Sequence, residues 1–247
     1  MSRRYDSYTT IFSPEGRLHQ VEYAIEAISH AGACIGVLAT DGVVLAAEKK
    51  IISKLLDSQL TEKMYKIDDH LACAVAGMTA DANILINRAR LGAQDHLQMF
   101  EEPVPVEELI NSICNVKHAY TQYGGLRPFG VSFLFAGWDR YNGFQLYASD
   151  PSGNYGAWKA SAIGANHQTA QNVLKENWTE DLDIEGAIRL TVKVLSKTMD
   201  STSLTSEKLE FATLTQKDGK TVFHVLCKEE VADLLKRHED LFASVED

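Results

Sequence analysis

The order in which two hydrophobic periods follow one another restricts the fold of this chain more than any other feature. Short apolar runs occupy residues 34–39, 43–47, 63–67 and 71–76. From Thr79 apolar residues recur every three or four positions, the short period returns at Phe129, the long one at Asn166, and the short one again at Leu209. Strands therefore come in groups parted by helix pairs. That grouping defines an α+β chain, whereas strict alternation of strand and helix would point to a doubly wound parallel sheet.

The pattern predicts a hairpin across Thr40-Asp41-Gly42, a second across Asp68-Asp69-His70, strands over 129–138, 144–149 and 155–163, and a last hairpin over 209–226 turning at Asp218-Gly219. Helices are predicted over 79–100 with Ile84, Leu85, Leu91 and Leu97 as the apolar stripe, and over 106–123 with Leu109, Ile110, Ile113, Val116 and Tyr120, closed by Gly124-Gly125. Further helices are read over 166–178, over 184–199 on Ala187, Leu190, Val194 and Leu195, and over 228–242. Two antiparallel sheets packed face to face, with helix pairs on both outer faces, would bury all these stripes.

Ahead of this body lies a different kind of segment. Ser13-Pro14-Glu15-Gly16 has the residues of a type I turn, because proline pre-sets φ at the first central position. A polar arm of residues 1–13 thus reverses into a helix over 18–30 whose stripe is Leu18, Val21, Ile25 and Ile28. Periodicity alone describes an ordinary amphipathic helix packed on its own domain.

With 247 residues, 45% apolar and 23% charged, only five prolines and no Ser/Gly-rich linker, the chain is expected to form one domain over 1–247, ending in an acidic tail over 239–247. No apolar run approaches the roughly 18 residues a membrane span needs, and the N-terminus lacks the apolar core of a secretory signal, so cytoplasm and nucleus are the expected compartments. Asn177-Trp178-Thr179 fits a glycosylation sequon that a chain outside the secretory pathway would not use. A net charge of −10 argues against a nucleic-acid surface. Cys34, Cys73, Cys114 and Cys227 are far apart, without Cys-x-x-Cys spacing, and are expected to be buried thiols; neither a metal nor a cofactor is expected.

The wording of the N-terminal segment goes beyond periodicity. Tyr5-Asp6, then Ser13-Pro14-Glu15-Gly16-Arg17-Leu18, then Gln20-Val21-Glu22-Tyr23-Ala24 closely resembles the signature that opens α-type subunits of the 20S proteasome. The likeness continues through Thr121-Gln122-Tyr123-Gly124-Gly125, Arg127-Pro128-Phe129-Gly130-Val131-Ser132 and Asp150-Pro151-Ser152-Gly153. A finer likeness to one branch of the family rests on Met1-Ser2-Arg3-Arg4-Tyr5-Asp6-Ser7 and Lys197-Thr198-Met199-Asp200. The resemblance implies the four-layer αββα sandwich of the N-terminal-nucleophile hydrolases with an added N-terminal helix. It also implies a seven-membered ring of paralogous α subunits, stacked β subunits, docked activator particles and unfolded protein substrates in transit.

In the catalytic β-type relatives a threonine freed at the N-terminus attacks the peptide bond with its own amine as base. Glu48 and Lys63 fall where that family's acid and lysine lie, but the threonine position falls at Gly32, which has no side chain and is not a terminus. Thr9 and Thr10 precede the first helix and cannot substitute, and no Gly-x-Ser-x-Gly elbow selects a triad from the eight histidines. The resemblance therefore implies a non-catalytic subunit. It assigns Tyr5, Asp6, Pro14 and Tyr23 to the cluster that gates the axial pore. Many family members carry Arg soon after the Tyr-Asp pair, whereas this chain has Ser7 and Tyr8. Lys63, in Glu62-Lys63-Met64-Tyr65, matches the lysine that receives the C-terminal carboxylate of an activator, a charge-assisted contact suited to an ammonium. On the residues alone, Tyr5 and Asp6 read equally as a frayed end, and Lys63 as an exposed strand-end lysine. Two other functions fit the same fold: an amidohydrolase with a relocated nucleophile, and a homo-oligomeric scaffold.

Overall fold

Successive side chains of the central strands feed different cores. The computed structural model describes residues 8, 10–49, 55, 63–199 and 204–241. Along β2 (Gly42–Glu48), Val44 and Ala46 join one apolar cluster while Val43, Leu45 and Ala47 join another, the alternation that a strand buried on both faces requires. β2 lies in an antiparallel sheet ordered β10-β9-β2-β1-β8, formed with β1 (Cys34–Leu38), β8 (Ala160–Ile163), β9 (Leu209–Lys217) and β10 (Lys220–Val225). The second antiparallel sheet is ordered β3-β4-β5-β6-β7: β3 (Met64–Asp68), β4 (Leu71–Gly77), β5 (Val131–Asp139), β6 (Gly143–Ser149) and β7 (Tyr155–Ala157).

Three apolar clusters separate four layers. Outside the first sheet, Ile35, Val37 and Phe211 pack with Val173, Leu190, Val194 and Leu234 from α4 (His167–Asn177), α5 (Ile184–Thr198) and α6 (Lys228–Arg237). Outside the second, Phe133, Phe135 and Val75 pack with Leu85, Ile110 and Ile113 from α2 (Thr79–Phe100) and α3 (Val106–Gln122). The layer between the sheets is built largely from small residues, among them Ala47, Ala74, Ala76, Ala136 and Ala212, with Leu45, Leu134 and Leu146 filling the gaps. At Gly36 of β1 an added Cβ would lie 2.8 Å from Leu146 Cδ1, so the sheets approach to the limit that glycine permits. This is the expected αββα sandwich. Its extra helix, α1 (His19–Ser29), buries Ile28 in the inter-sheet cluster.

Four expectations change. The stripe of α2 is carried by Ala82, Leu85, Ile86, Ala89 and Ala93, while Ile84, Leu91 and Leu97 face outward, because a helix seated close on a sheet presents its small residues inward. In α1, Val21 and Ile28 are buried but Ile25 is exposed. Residues 155–163 do not form one strand: Trp158 N–H donates to Leu146 O of β6 and Lys159 O accepts from Leu38 N–H of β1, so the chain crosses between the sheets there. Cys227 is exposed, starting α6 with its backbone N–H donating to the Glu230 carboxylate at 2.7 Å, whereas Cys34, Cys73 and Cys114 are buried. The last hairpin turns as expected, with Asp218 at φ 51° and Gly219 at φ 75°, the left-handed pair of a type I′ turn. The acidic end from 242 onward lies outside the described residues.

One buried cation fixes the end of the second sheet. Lys117 of α3 is fully buried; its ammonium donates to Val131 O (3.1 Å), Ser149 Oγ (2.9 Å) and Asp150 O (3.4 Å) and lies 4.6 Å from the centre of the Phe133 ring. Burial lowers its pKa from 10.5 to about 8, opposed by the nearby Cys114, Asp150 and Cys73. The unfolded chain thus binds the extra proton between these two values, so this group makes folding more favourable as pH rises through the window and less favourable as pH falls through the folded value. Urea unfolding of the chain and of Lys117→Met across this range should show the stability difference moving in favour of the wild type as pH rises. A difference that does not vary with pH would contradict the assignment.

Candidate functional site

The start of β1, the end of β2 and the start of β3 converge at one end of the sandwich. Lys63 Nζ donates to Gly32 O at 2.6 Å, Glu48 Oε2 accepts from Ala33 N–H at 3.3 Å, and Glu48 N–H donates to Ala33 O at 2.9 Å. Gly32, Glu48 and Lys63, far apart in sequence, are brought together as the sequence suggests. A Cβ built on Gly32 would fall 2.6 Å from Lys63 Nζ and 2.7 Å from Glu48 O, so the lysine head and the β2 backbone fill the space of a side chain there. Behind them Cys34 is fully buried, its thiol donating to Val75 O at 3.1 Å and lying 4.0 Å from Lys63 Nζ. Burial pushes this thiol up, only partly offset by Lys63, so it stays protonated. The backbone leading into the site is equally crowded: Gly164, at φ 88°, would place a Cβ 2.7 Å from Gly32 O.

Two residues at this site, Glu210 and Lys49, belong to no motif in the sequence. Glu210, between Leu209 and Phe211 on β9, is buried. Its Oε1 pairs with buried Lys49 Nζ at 3.0 Å and its Oε2 accepts from Lys63 N–H at 3.1 Å.

The N-terminal turn forms as expected. Gly16 N–H donates to Ser13 O (2.9 Å), Ser13 N–H to Arg17 O (2.9 Å) and Arg17 N–H to Ser13 Oγ (3.2 Å), with Gly16 at φ 78°. Arg17 then grips Glu22 with two 2.7 Å bonds, tying the turn to the first turn of α1. Pro14 sits exposed in this turn, and Tyr23, half exposed on α1, stacks on His19 with ring centres 6.2 Å apart. Tyr5 and Asp6 lie outside the described residues, as does Glu62.

The other motif residues are structural ties on the second sheet. Arg127 holds Asp81 of α2 through bonds of 2.6 and 2.9 Å, Gly130 N–H adds a third at 2.9 Å, and the guanidinium keeps the Asp81 carboxyl below its usual range. Asp150 Oδ1 accepts from Ser152 N–H and Oγ. Gly153, at φ 85°, packs so close to α3 that a Cβ would meet Cys114 O at 2.5 Å. No group of three or more potential metal ligands exists among the described residues, and none of their helices is long and apolar enough to cross a membrane.

A two-sheet, four-layer sandwich with a glycine at the head of β1, a lysine at the head of β3 and a helix placed upstream of both defines a proteasome-type domain. The family model for proteasome subunits matches residues 28–214, and the model for the N-terminal signature of A-type proteasome subunits matches residues 5–27. The chain belongs to the α-type proteasome subunits. It is 64% identical over 240 residues to the alpha type-4-A proteasome subunit of Arabidopsis thaliana, covering 96% of each chain. It is 65% identical over 237 residues to the alpha type-4 proteasome subunit of Spinacia oleracea, covering 95% of each. A rice relative from Oryza sativa subsp. indica, alpha type-4-2, is 62% identical over 240 residues, again covering 96% of each. The finer likeness carried by the first seven residues and by Lys197 to Asp200 points to the same branch.

The crowding at Gly32 has a measurable consequence. Gly32→Ala should destabilise the chain by about 1–3 kcal/mol in urea unfolding, the usual cost of overpacking. Adding Lys63→Ala should recover only part of the loss, since the Glu48 carbonyl remains 2.7 Å from the new Cβ. A fully neutral Gly32→Ala would show that this end of the sandwich is looser than its geometry.

Proposed function

We propose that the chain is a non-catalytic member of the seven-membered α ring of the 20S proteasome core, acting as one domain over 1–247. It scaffolds the ring with paralogous α subunits, stacks on β subunits, contributes to the axial gate through which unfolded substrates pass, and offers a pocket to activator particles. The observation that carries this reading is the filled space at Gly32. The position equivalent to a nucleophilic threonine has no side chain, the Lys63 ammonium occupies the volume one would need, and α1 runs upstream so that residue 32 has a peptide nitrogen where catalysis would need a free amine. The threonine endopeptidase activity then resides in the β subunits.

In this reading the arm of residues 1–13 is aimed by the turn at Pro14, and Tyr5, Asp6 and Tyr23 supply phenol and carboxylate groups for contacts that hold the gate closed. Lys63 receives the terminal carboxylate of an activator; its ammonium is aimed by a 2.6 Å bond to Gly32 O. The particle works in cytoplasm and nucleus, without a cofactor.

A native mass measurement of the assembly isolated from cells tests the core of the reading. The expected result is a core particle with this chain among different α subunits. A homo-oligomer, or peptide hydrolysis by the purified chain alone, would overturn it. Within the particle, deletion of residues 2–10 should raise basal peptide hydrolysis severalfold in the absence of activator, and unchanged hydrolysis would remove the gate role. Lys63→Ala should weaken stimulation by activator C-terminal peptides while leaving basal hydrolysis intact.

A further inference from the structure

We propose that Glu210 is the positioning residue for Lys63, a carboxylate inside the fold that sets where the lysine's ammonium stands for a carboxylate outside it; this rests on the docking role of Lys63. Glu210 belongs to the first sheet, where it pairs with Ala47 in register, and its neighbours two and four residues on, Ala212 and Leu214, point into the inter-sheet layer. Its side chain therefore extends between the sheets. There Oε2 accepts the backbone N–H of Lys63 at 3.1 Å, at the head of β3 in the opposite sheet. Lys63 O in turn accepts from Val75 N–H at 3.0 Å. The backbone of Lys63 is thus held from both sides, by β9 through a side chain and by β4 through the ladder.

The second oxygen of Glu210 performs a separate task. Oε1 lies 3.0 Å from Lys49 Nζ, and both side chains are buried. Lys49 follows Glu48 at the end of β2, so Lys49 and Lys63 belong to the same end of the sandwich. Pairing Lys49 with Glu210 sets that ammonium against a carboxylate inside the fold, while Lys63 stays only partly buried. The Gly32 carbonyl then fixes its direction with a 2.6 Å bond, and the Cys34 sulfur stands behind it at 4.0 Å. Removing Glu210 should loosen the lysine's backbone, so the loss should appear as reduced discrimination for a carboxylate.

The test uses assembled particles and a pair of photoreactive peptides identical except for a free C-terminal carboxylate or a C-terminal amide. The readout is the acid-to-amide ratio of crosslinks to this chain, with crosslinks to the other α subunits of the same particle as internal control. Wild-type particles should favour the acid; a ratio of one there would show that the docking reading itself fails, and Glu210 would have no such task. Given a wild-type preference, Glu210→Ala should lower the ratio at this chain about fivefold, with the neighbours' ratios unchanged. Glu210→Gln, which keeps an acceptor for the Lys63 N–H, should stay within about twofold of the wild type. Where Glu210→Ala particles fail to assemble, the double variant Lys49→Met with Glu210→Leu removes both buried charges together and should still lose the preference. A full acid preference in either Glu210→Ala or the double variant overturns the proposal.

Discussion

Everything at the Gly32 end depends on how closely the two sheets approach. Alanines at 47, 74, 76, 136 and 212, with Gly36 against Leu146, hold the facing strands at a separation that small side chains set. Only at that separation can the Lys63 side chain, from the second sheet, reach Gly32 O at the head of the first, and only then can the Glu210 carboxylate span the gap to the Lys63 N–H. Larger residues in the middle layer would have taken the site apart without touching any of its members. The apolar packing and the polar contacts are therefore one arrangement.

The buried charges share a position as well as a chemistry. Lys117, Asp81 and Glu210 all sit where strands end, and each is held by backbone groups that the sheet ladders leave over: Lys117 by Val131 O and Asp150 O, Asp81 by Gly130 N–H, Glu210 by Lys63 N–H. Asp139, at the other end of β5, accepts N–H bonds from Val106, Tyr141 and Asn142 and a fourth from Gln145. Leftover backbone donors and acceptors are costly in a buried setting, and a charged side chain is the strongest partner available. The cost of burying the charge and the cost of the orphaned backbone group offset one another at the same point.

The layers were legible in the sequence because period and grouping are local properties. Strand and helix order, the Asp218-Gly219 turn and the inward set of α5 follow from them directly. Orientation is less local. Ile84 and Leu91 are more apolar than Ala82, Ala89 and Ala93, yet the alanines face the sheet, since what selects the buried face of α2 is the distance available and not the hydropathy of the residue. The break at Trp158-Lys159 was hidden for a similar reason. Two short strands in different sheets read as one when nothing but a hydrogen-bond partner distinguishes them. Gly32, Glu48 and Lys63 could be placed because the family's motif supplies their spacing, whereas Glu210 and Lys49 meet only through the pairing of β2 with β9, which no motif encodes.

The N-terminal helix and the glycine at 32 make a single structural statement. Ala31 N–H donates to Ile28 O, so α1 hands the chain directly to the residue before Gly32, and Ala31 O accepts from Ala165 N–H, which pins that handover to the end of β8. With the chain running through this point, residue 32 carries a peptide nitrogen and, as glycine, no side chain. In the proposed reading nothing then keeps a threonine at that position, and the Lys63 head fills its volume. In the same proposed reading, the lysine that would tune a nucleophile serves a different anion, a carboxylate arriving from outside, and the buried Glu210 that holds its backbone supports that use without any further change in the fold.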